Sequence, residues 1–176
     1  RRIKLKKEDQ ERYNERFGKP SAERRSGDLI WIHAASVGEC LSALPVINEI
    51  EKITSVNQIL LTSGTTSSAL ILKGKLSTKT IQQYLPLDVP LFNSRFLKYW
   101  RPKSAIFIES EIWPNLIYQI KKMGIMLAVI NGRMTLKSYN KWLRFKKTSK
   151  LIFNNYDLCL TQNKESTFFY KQLGIN

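Results

Sequence analysis

Short runs of apolar residues alternate along this chain with stretches in which apolar side chains recur three and four positions apart. Residues 29–34, 58–62, 81–85, 105–108, 126–130 and 157–161 are rich in Ile, Leu and Val and have the length of buried strands. Between them, Leu41, Leu44, Ile47 and Ile50 recur at helical spacing, as do Leu116, Ile117 and Ile120. Residues 67–75, 91–100, 139–153 and 165–173 fill the other gaps as predicted helices. Pro45 falls inside the first helical pattern and costs it a backbone hydrogen bond unless it lies in the opening turn.

This alternation predicts βαβ units, a parallel sheet and right-handed crossovers. The fold class expected is α/β: a Rossmann-like parallel sheet with helices on both faces. Residues 1–28 read as a basic helical lead-in and linker, which enters a domain of residues 29–176 through Gly18, Lys19, Pro20 and Ser21. At 176 residues the chain has room for one domain with its own core.

Composition narrows the classes. A 43% hydrophobic and 24% charged chain is globular, neither disordered nor fibrous. Two distant cysteines and one histidine cannot assemble a zinc site of usual spacing, so no metal is expected. No apolar run approaches the roughly 20 residues of a membrane span, and no signal peptide opens the chain. The sequence starts at Arg1, so an anchor upstream of it stays open.

Charge changes the picture most. Lys and Arg number 29 against 14 acids, a formal +15, and an anionic partner is expected. Lys137, Lys141, Arg144, Lys146, Lys147 and Lys150 form a run without an acid, interleaved with Tyr139, Trp142, Leu143 and Phe145. It reads as a solvated helix face or as an interface beside anionic headgroups. No RNA-binding motif or aromatic stacking platform is present, so nucleic acid is not expected.

In a parallel sheet of this kind, ligands gather at the carboxyl ends of the strands. The residues with chemistry sit there. Ser36, Gly38 and Glu39 follow the first strand; Gly64 and Thr65 the second; Asp88 the third; Glu109 and Glu111 the fourth; Asn131 and Arg133 the fifth. Glu39 reads as a general base or as an acid that complements a helix dipole. Glu109 and Glu111 point to one face if the chain is extended, and suit proton handling if buried, or belong to an exposed cap with Pro114 in the first turn. Gly64 and Thr65 read as an oxyanion cradle or as plain N-capping, and Asn131 with Arg133 as an anion grip or a turn. His33 reads as a hydrogen-bonded structural histidine.

The stretches "HAASVGE", "TSGTTSSA", "QQYLPLDVP", "FLKYWRPKSAIFIESEIWPNL", "VINGRMTLKSY" and "LTQN", in this order, resemble the amino-terminal half of the 3-deoxy-D-manno-octulosonic acid (Kdo) transferases. The resemblance implies an inverting glycosyltransferase of GT-B architecture that moves Kdo from the donor CMP-Kdo to the lipid A precursor in lipopolysaccharide synthesis, with no cofactor. It implies Glu39 as general base, Glu109 and Glu111 as supporting acids, and substrate contacts from Ser36, Gly38, Gly64, Thr65, Asn131 and Arg133. The expected location is the cytoplasmic face of the Gram-negative inner membrane, with Lys141, Arg144, Lys146, Lys147 and Lys150 toward its anionic surface or the acceptor phosphates. The resemblance also implies a carboxy-terminal nucleotide-sugar domain absent from this chain, which alone is then expected to be inactive. Cys40 stands where the family pattern leads one to expect Thr or another small residue. The competing readings are a non-catalytic remnant and an anionic-lipid-binding module.

Overall fold

A computed structural model describes residues 8–109 and 111–175. Six strands form one all-parallel sheet: β1 Asp28–Ala34, β2 Val56–Ser63, β3 Thr80–Tyr84, β4 Ser104–Ile108, β5 Met126–Gly132 and β6 Leu158–Thr161. Their spatial order is β3-β2-β1-β4-β5-β6, so the direction of travel reverses between β1 and β4. Helices α1 Val37–Glu51, α2 Thr66–Leu72, α3 Pro90–Trp100, α4 Pro114–Lys122, α5 Leu136–Leu143, α6 Lys146–Phe153 and α7 Lys164–Leu173 fill the crossovers and follow β6. The Rossmann-like α/β expectation is met.

Two cores lie on opposite faces of the sheet. On one, Trp31 of β1 meets Phe96 of α3 and Phe107 of β4 edge-on, with ring centroids 5.0 and 5.4 Å away. On the other, Ile32 and Ala34 pack with Cys40, Ala43 and Ile47 of α1. Successive residues of β1 thus supply both cores, which is why the strand reads as one apolar run. Burying each such side chain contributes about 1.5–3 kcal/mol.

Three local expectations are revised. The predicted helix over 139–153 is two helices, broken at Arg144 and Phe145. Tyr139, Trp142 and Leu143 pack against the core, and so do Ile152 and Phe153, but a continuous helix would bring Lys146 onto the stripe between them. Ser149, buried in the corner, donates to the carbonyls of Trp142 and Phe145 at 2.6 and 3.0 Å. Pro45 lies well inside α1, on its exposed side. Of the lead-in, residues 1–7 fall outside the described residues, and the described part contributes a 3-10 turn, Tyr13–Phe17, instead of a longer helix.

That turn is bolted to the sheet by charge. Glu15 is 1% exposed. Its carboxylate accepts from Arg12 Nε at 2.8 Å, Ser21 Oγ at 2.5 Å and the Tyr84 amide at 2.5 Å. Arg16 donates to the carbonyls of Gly64 at 2.7 Å and Leu85 at 3.1 Å and stacks on the Tyr84 ring. Removing one partner of a buried, paired charge typically costs about 3–5 kcal/mol. Glu15→Ala is therefore expected to lower the unfolding free energy by about 3 kcal/mol, measured by urea denaturation of the chain; a loss under about 1 kcal/mol would show that the cluster is not what holds the lead-in.

Candidate active site

The site is built where crossover direction reverses. β1 and β4 are hydrogen-bonded neighbours, His33 opposite Phe107, and their crossovers depart to opposite sides of the sheet. A crevice at the carboxyl ends follows from that topology. The loop after β1 carries Ser36, Gly38 and Glu39, and the loop after β4 carries Glu109 and Glu111.

On the β1 side, Ser36 is the N-cap of α1 and Glu39 its third residue, a capping box in which each reaches the other. The Ser36 hydroxyl accepts from the Glu39 amide at 3.2 Å and donates to Glu39 Oε1 at 2.9 Å, while the Ala35 amide donates to Glu39 Oε2 at 2.8 Å. Gly38 is exposed beside them and a Cβ there would meet nothing. Cys40, fully buried, directs its thiol at the Ala34 carbonyl, and burial pushes that thiol up to about 11. The unexpected residue thus acts as a small hydrogen-bonding core group.

The loop after β2 locks onto this one. The Gly64 amide donates to the Ala35 carbonyl at 2.9 Å, and a Cβ at Gly64 would lie 2.8 Å from that same oxygen. Only glycine allows the approach. Thr65 caps α2, its hydroxyl accepting from the Ser68 amide at 3.1 Å. Both groups are therefore engaged in building the rim.

On the β4 side, Glu109 sits at φ 62°, so the chain is not extended there and the simple alternation that would aim Glu109 and Glu111 together does not apply. Glu111 is 23% exposed; its Oε2 accepts from the Trp113 indole at 2.7 Å and faces Nε2 of the fully buried His33 at 3.5 Å. Burial pushes the Glu111 carboxyl up, but His33 and the indole outweigh it, and the net shift is downward. Asp88, from the loop after β3, caps α4 by accepting from the Leu116 amide at 2.9 Å. Asn131, the last residue but one of β5, lies in the left-handed region at φ 54°, and both it and Arg133 are exposed.

A cavity of about 450 Å³ opens from Glu111 toward α5, lined among others by Trp113, Ser138, Lys141, Trp142 and Phe145. Lys141 of the basic run thus shares a cavity with a site carboxylate. Arg144, Lys146, Lys147 and Lys150 are exposed around the α5–α6 corner. Two contributors escaped the sequence reading. His33 as the partner of Glu111 was hidden because they are distant in sequence, although its parity with Leu29 and Trp31 places it on their face. The capping box was legible as Ser-x-x-Glu.

Sheet order and the position of the rim residues define an α/β Rossmann-like domain whose candidate site lies at the carboxyl ends of its strands. The chain belongs to the 3-deoxy-D-manno-octulosonic-acid transferase (kdotransferase) family, whose model matches residues 11–176. It is 44% identical over 131 residues to a probable mitochondrial 3-deoxy-D-manno-octulosonic acid transferase of Arabidopsis thaliana, covering 74% of this chain and 29% of that protein. It is 41% identical over 148 residues to the transferase of Rickettsia felis, covering 84% and 32%, and 39% identical over 175 residues to that of Rickettsia bellii, covering 99% and 42%. The chain spans well under half the length of these relatives.

Glu111 gives a pH prediction. A carboxyl whose folded pKa lies below its unfolded value contributes stability above the ordinary carboxyl range, about pH 4 to 5, and loses it as pH falls through the depressed value. The difference in unfolding free energy between wild type and Glu111→Gln is therefore expected to shrink as pH drops from 7 to 3; a difference that stays constant would show that the carboxylate is not stabilised in the fold.

Proposed function

We propose that this chain is the acceptor-side half of a two-domain, GT-B-type Kdo transferase that moves Kdo from CMP-Kdo to the lipid A precursor with inversion. What supports the reading is the family, and one observation carries the chemistry: the loops holding Glu39 and Glu111 flank the same switch-point crevice. A single displacement with inversion needs a base that takes the proton from the acceptor hydroxyl as its oxygen attacks the anomeric carbon and CMP departs from the opposite face with the bonding electrons. Glu39 is that base in this proposal. Each of its oxygens accepts one bond within the rim, which fixes the carboxylate and leaves acceptor capacity on both. Glu111 and Glu109 supply fixed negative charge across the crevice, and Asn131 and Arg133 meet the acceptor's anionic groups. Binding of CMP-Kdo belongs to the second domain, and no metal or cofactor is invoked.

The location proposed is the cytoplasmic face of the inner membrane. The protein is held there peripherally or by a segment outside this chain; among the described residues no helix is long and apolar enough to cross a bilayer. The exposed Lys146, Lys147 and Lys150 around Phe145, itself 62% exposed, form the patch that meets anionic headgroups or acceptor phosphates.

Two experiments test this. In the full-length enzyme, Glu39→Gln should fold and lower kcat by about 100-fold or more, the scale of losing a general base; near wild-type turnover would remove that role. Charge reversal of Lys146, Lys147 and Lys150 together should weaken binding to anionic vesicles by at least about 100-fold, since losing the three attractive charges alone costs about 1 kcal/mol each, and leave neutral vesicles unaffected. Binding that ignores both substitution and salt would rule the patch out.

A further inference from the structure

His33 closes a chain of polar groups that runs from the core to Glu111. The Trp31 indole donates to Thr62 Oγ1 at 2.8 Å. Thr62 Oγ1 lies 3.0 Å from His33 Nδ1, and the Thr62 carbonyl lies 3.2 Å from the same nitrogen. On the far side of the ring, Nε2 faces Glu111 Oε2 at 3.5 Å, and Glu111 also accepts from Trp113. Trp31, Thr62 and His33 are all fully buried, and His33 Nε2 has no other polar partner among the described residues.

Counting protons decides how the ring is set. A neutral imidazole donates from one nitrogen and accepts at the other. If Nδ1 carried the proton, it would be satisfied by Thr62, the Thr62 hydroxyl would turn to the Ile32 carbonyl at a long 3.5 Å, and a bare Nε2 lone pair would face a carboxylate oxygen 3.5 Å away. Two acceptors opposed at a fully buried ring nitrogen are costly. If Nε2 carries the proton, Nδ1 accepts from the Thr62 hydroxyl at 3.0 Å, the Trp31 indole occupies a lone pair of that hydroxyl, and Nε2 donates toward Glu111. Each group then faces one of the right kind, Nε2 and Glu111 across a long 3.5 Å.

We infer that Trp31 and Thr62 fix His33 as the Nε2–H tautomer, and that His33 in this form is a positioning residue which holds the Glu111 carboxylate toward the crevice. The first half concerns the chain itself, and the second rests on the role proposed for Glu111. The relay links the β2, β1 and β4 strand ends in one direction, so a change at Thr62, which lines no crevice, is transmitted to a carboxylate that does.

The protein's single histidine makes the test direct, because its imidazole nitrogen signals need no assignment. In ¹⁵N-labelled chain at pH 8, long-range ¹H–¹⁵N correlation is expected to show a protonated Nε2 and an acceptor Nδ1. A protonated Nδ1 with bare Nε2, or a ring carrying both protons, overturns the inference. Thr62→Val removes the hydroxyl at nearly constant volume and leaves only the backbone carbonyl for Nδ1, so the tautomer should switch; Thr62→Ser restores the hydroxyl and should restore the Nε2–H form. If Thr62→Val does not fold, the wild-type spectrum alone decides. In the full-length enzyme, Thr62→Val should lower kcat at least tenfold, as loss of an orienting tautomer does, with KM for the donor nearly unchanged and Thr62→Ser close to wild type. Normal turnover in Thr62→Val with a switched tautomer overturns the positioning role, whereas normal turnover in Glu111→Gln with the tautomer as expected overturns the role of Glu111 and leaves the relay standing.

Discussion

Everything at the rim depends on one contact between strand ends: the Gly64 amide against the Ala35 carbonyl, 2.9 Å apart with no room for a side chain. It sets where the chain turns after β1, and so where α1 begins and where its first-turn carboxylate lies. The Ala35 amide in turn holds Glu39, and the Gly64 carbonyl is held by Arg16 from the lead-in. A polar path therefore runs from the turn at Tyr13–Phe17 to the carboxylate proposed as base. The lead-in is part of the site's foundation, although its described residues contribute no strand before β1.

Reversal of crossover direction between β1 and β4 supplies the complementary element. Helices α1 and α2 lie on one face, and α3 and the helices after β4 on the other, so the loops after β1 and β4 diverge. Left-handed backbone occurs at Glu109, just past β4, and at Asn131, one residue before the end of β5, on neighbouring strand ends. Such conformations in residues other than glycine are held by surrounding structure and concentrate where geometry matters to function. The Glu109 amide donates to the Ile130 carbonyl at 3.0 Å, which anchors one of these turns against the other strand.

Strand positions, helix positions and parallel topology were legible because period and alternation record burial directly. Boundaries moved by a residue or two where neighbouring backbone, not side-chain pattern, decides: β2 starts at Val56 and β3 ends at Tyr84. The break at Phe145 was in principle visible as lysines falling on the apolar stripe, yet their aliphatic stems make such lapses ambiguous in sequence. The rim residues could be named from their positions after strands. Their bonding could not, since Ser36 with Glu39 is local and readable whereas Thr62 with His33 and His33 with Glu111 depend on register between strands distant in sequence. Alternation from Glu109 to Glu111 misled because a single positive φ resets which face the next side chain takes.

Capping and catalysis are often set against each other as readings of a first-turn glutamate. Here the geometry makes them compatible. A carboxylate offers about four acceptor directions, and the rim uses one on each oxygen, from the Ala35 amide and the Ser36 hydroxyl. Those bonds orient the group without consuming its capacity to take a proton, and they replace water that an acceptor sugar would otherwise have to displace. A free glutamate would need to lose rotamer entropy, up to about 2 kcal/mol, each time it met its substrate; this one has lost it on folding. The same bonds that stabilise the helix start would therefore also orient the carboxylate for the role proposed for it. The chain's formal charge of +15 would draw toward it the anionic substrates proposed for this rim.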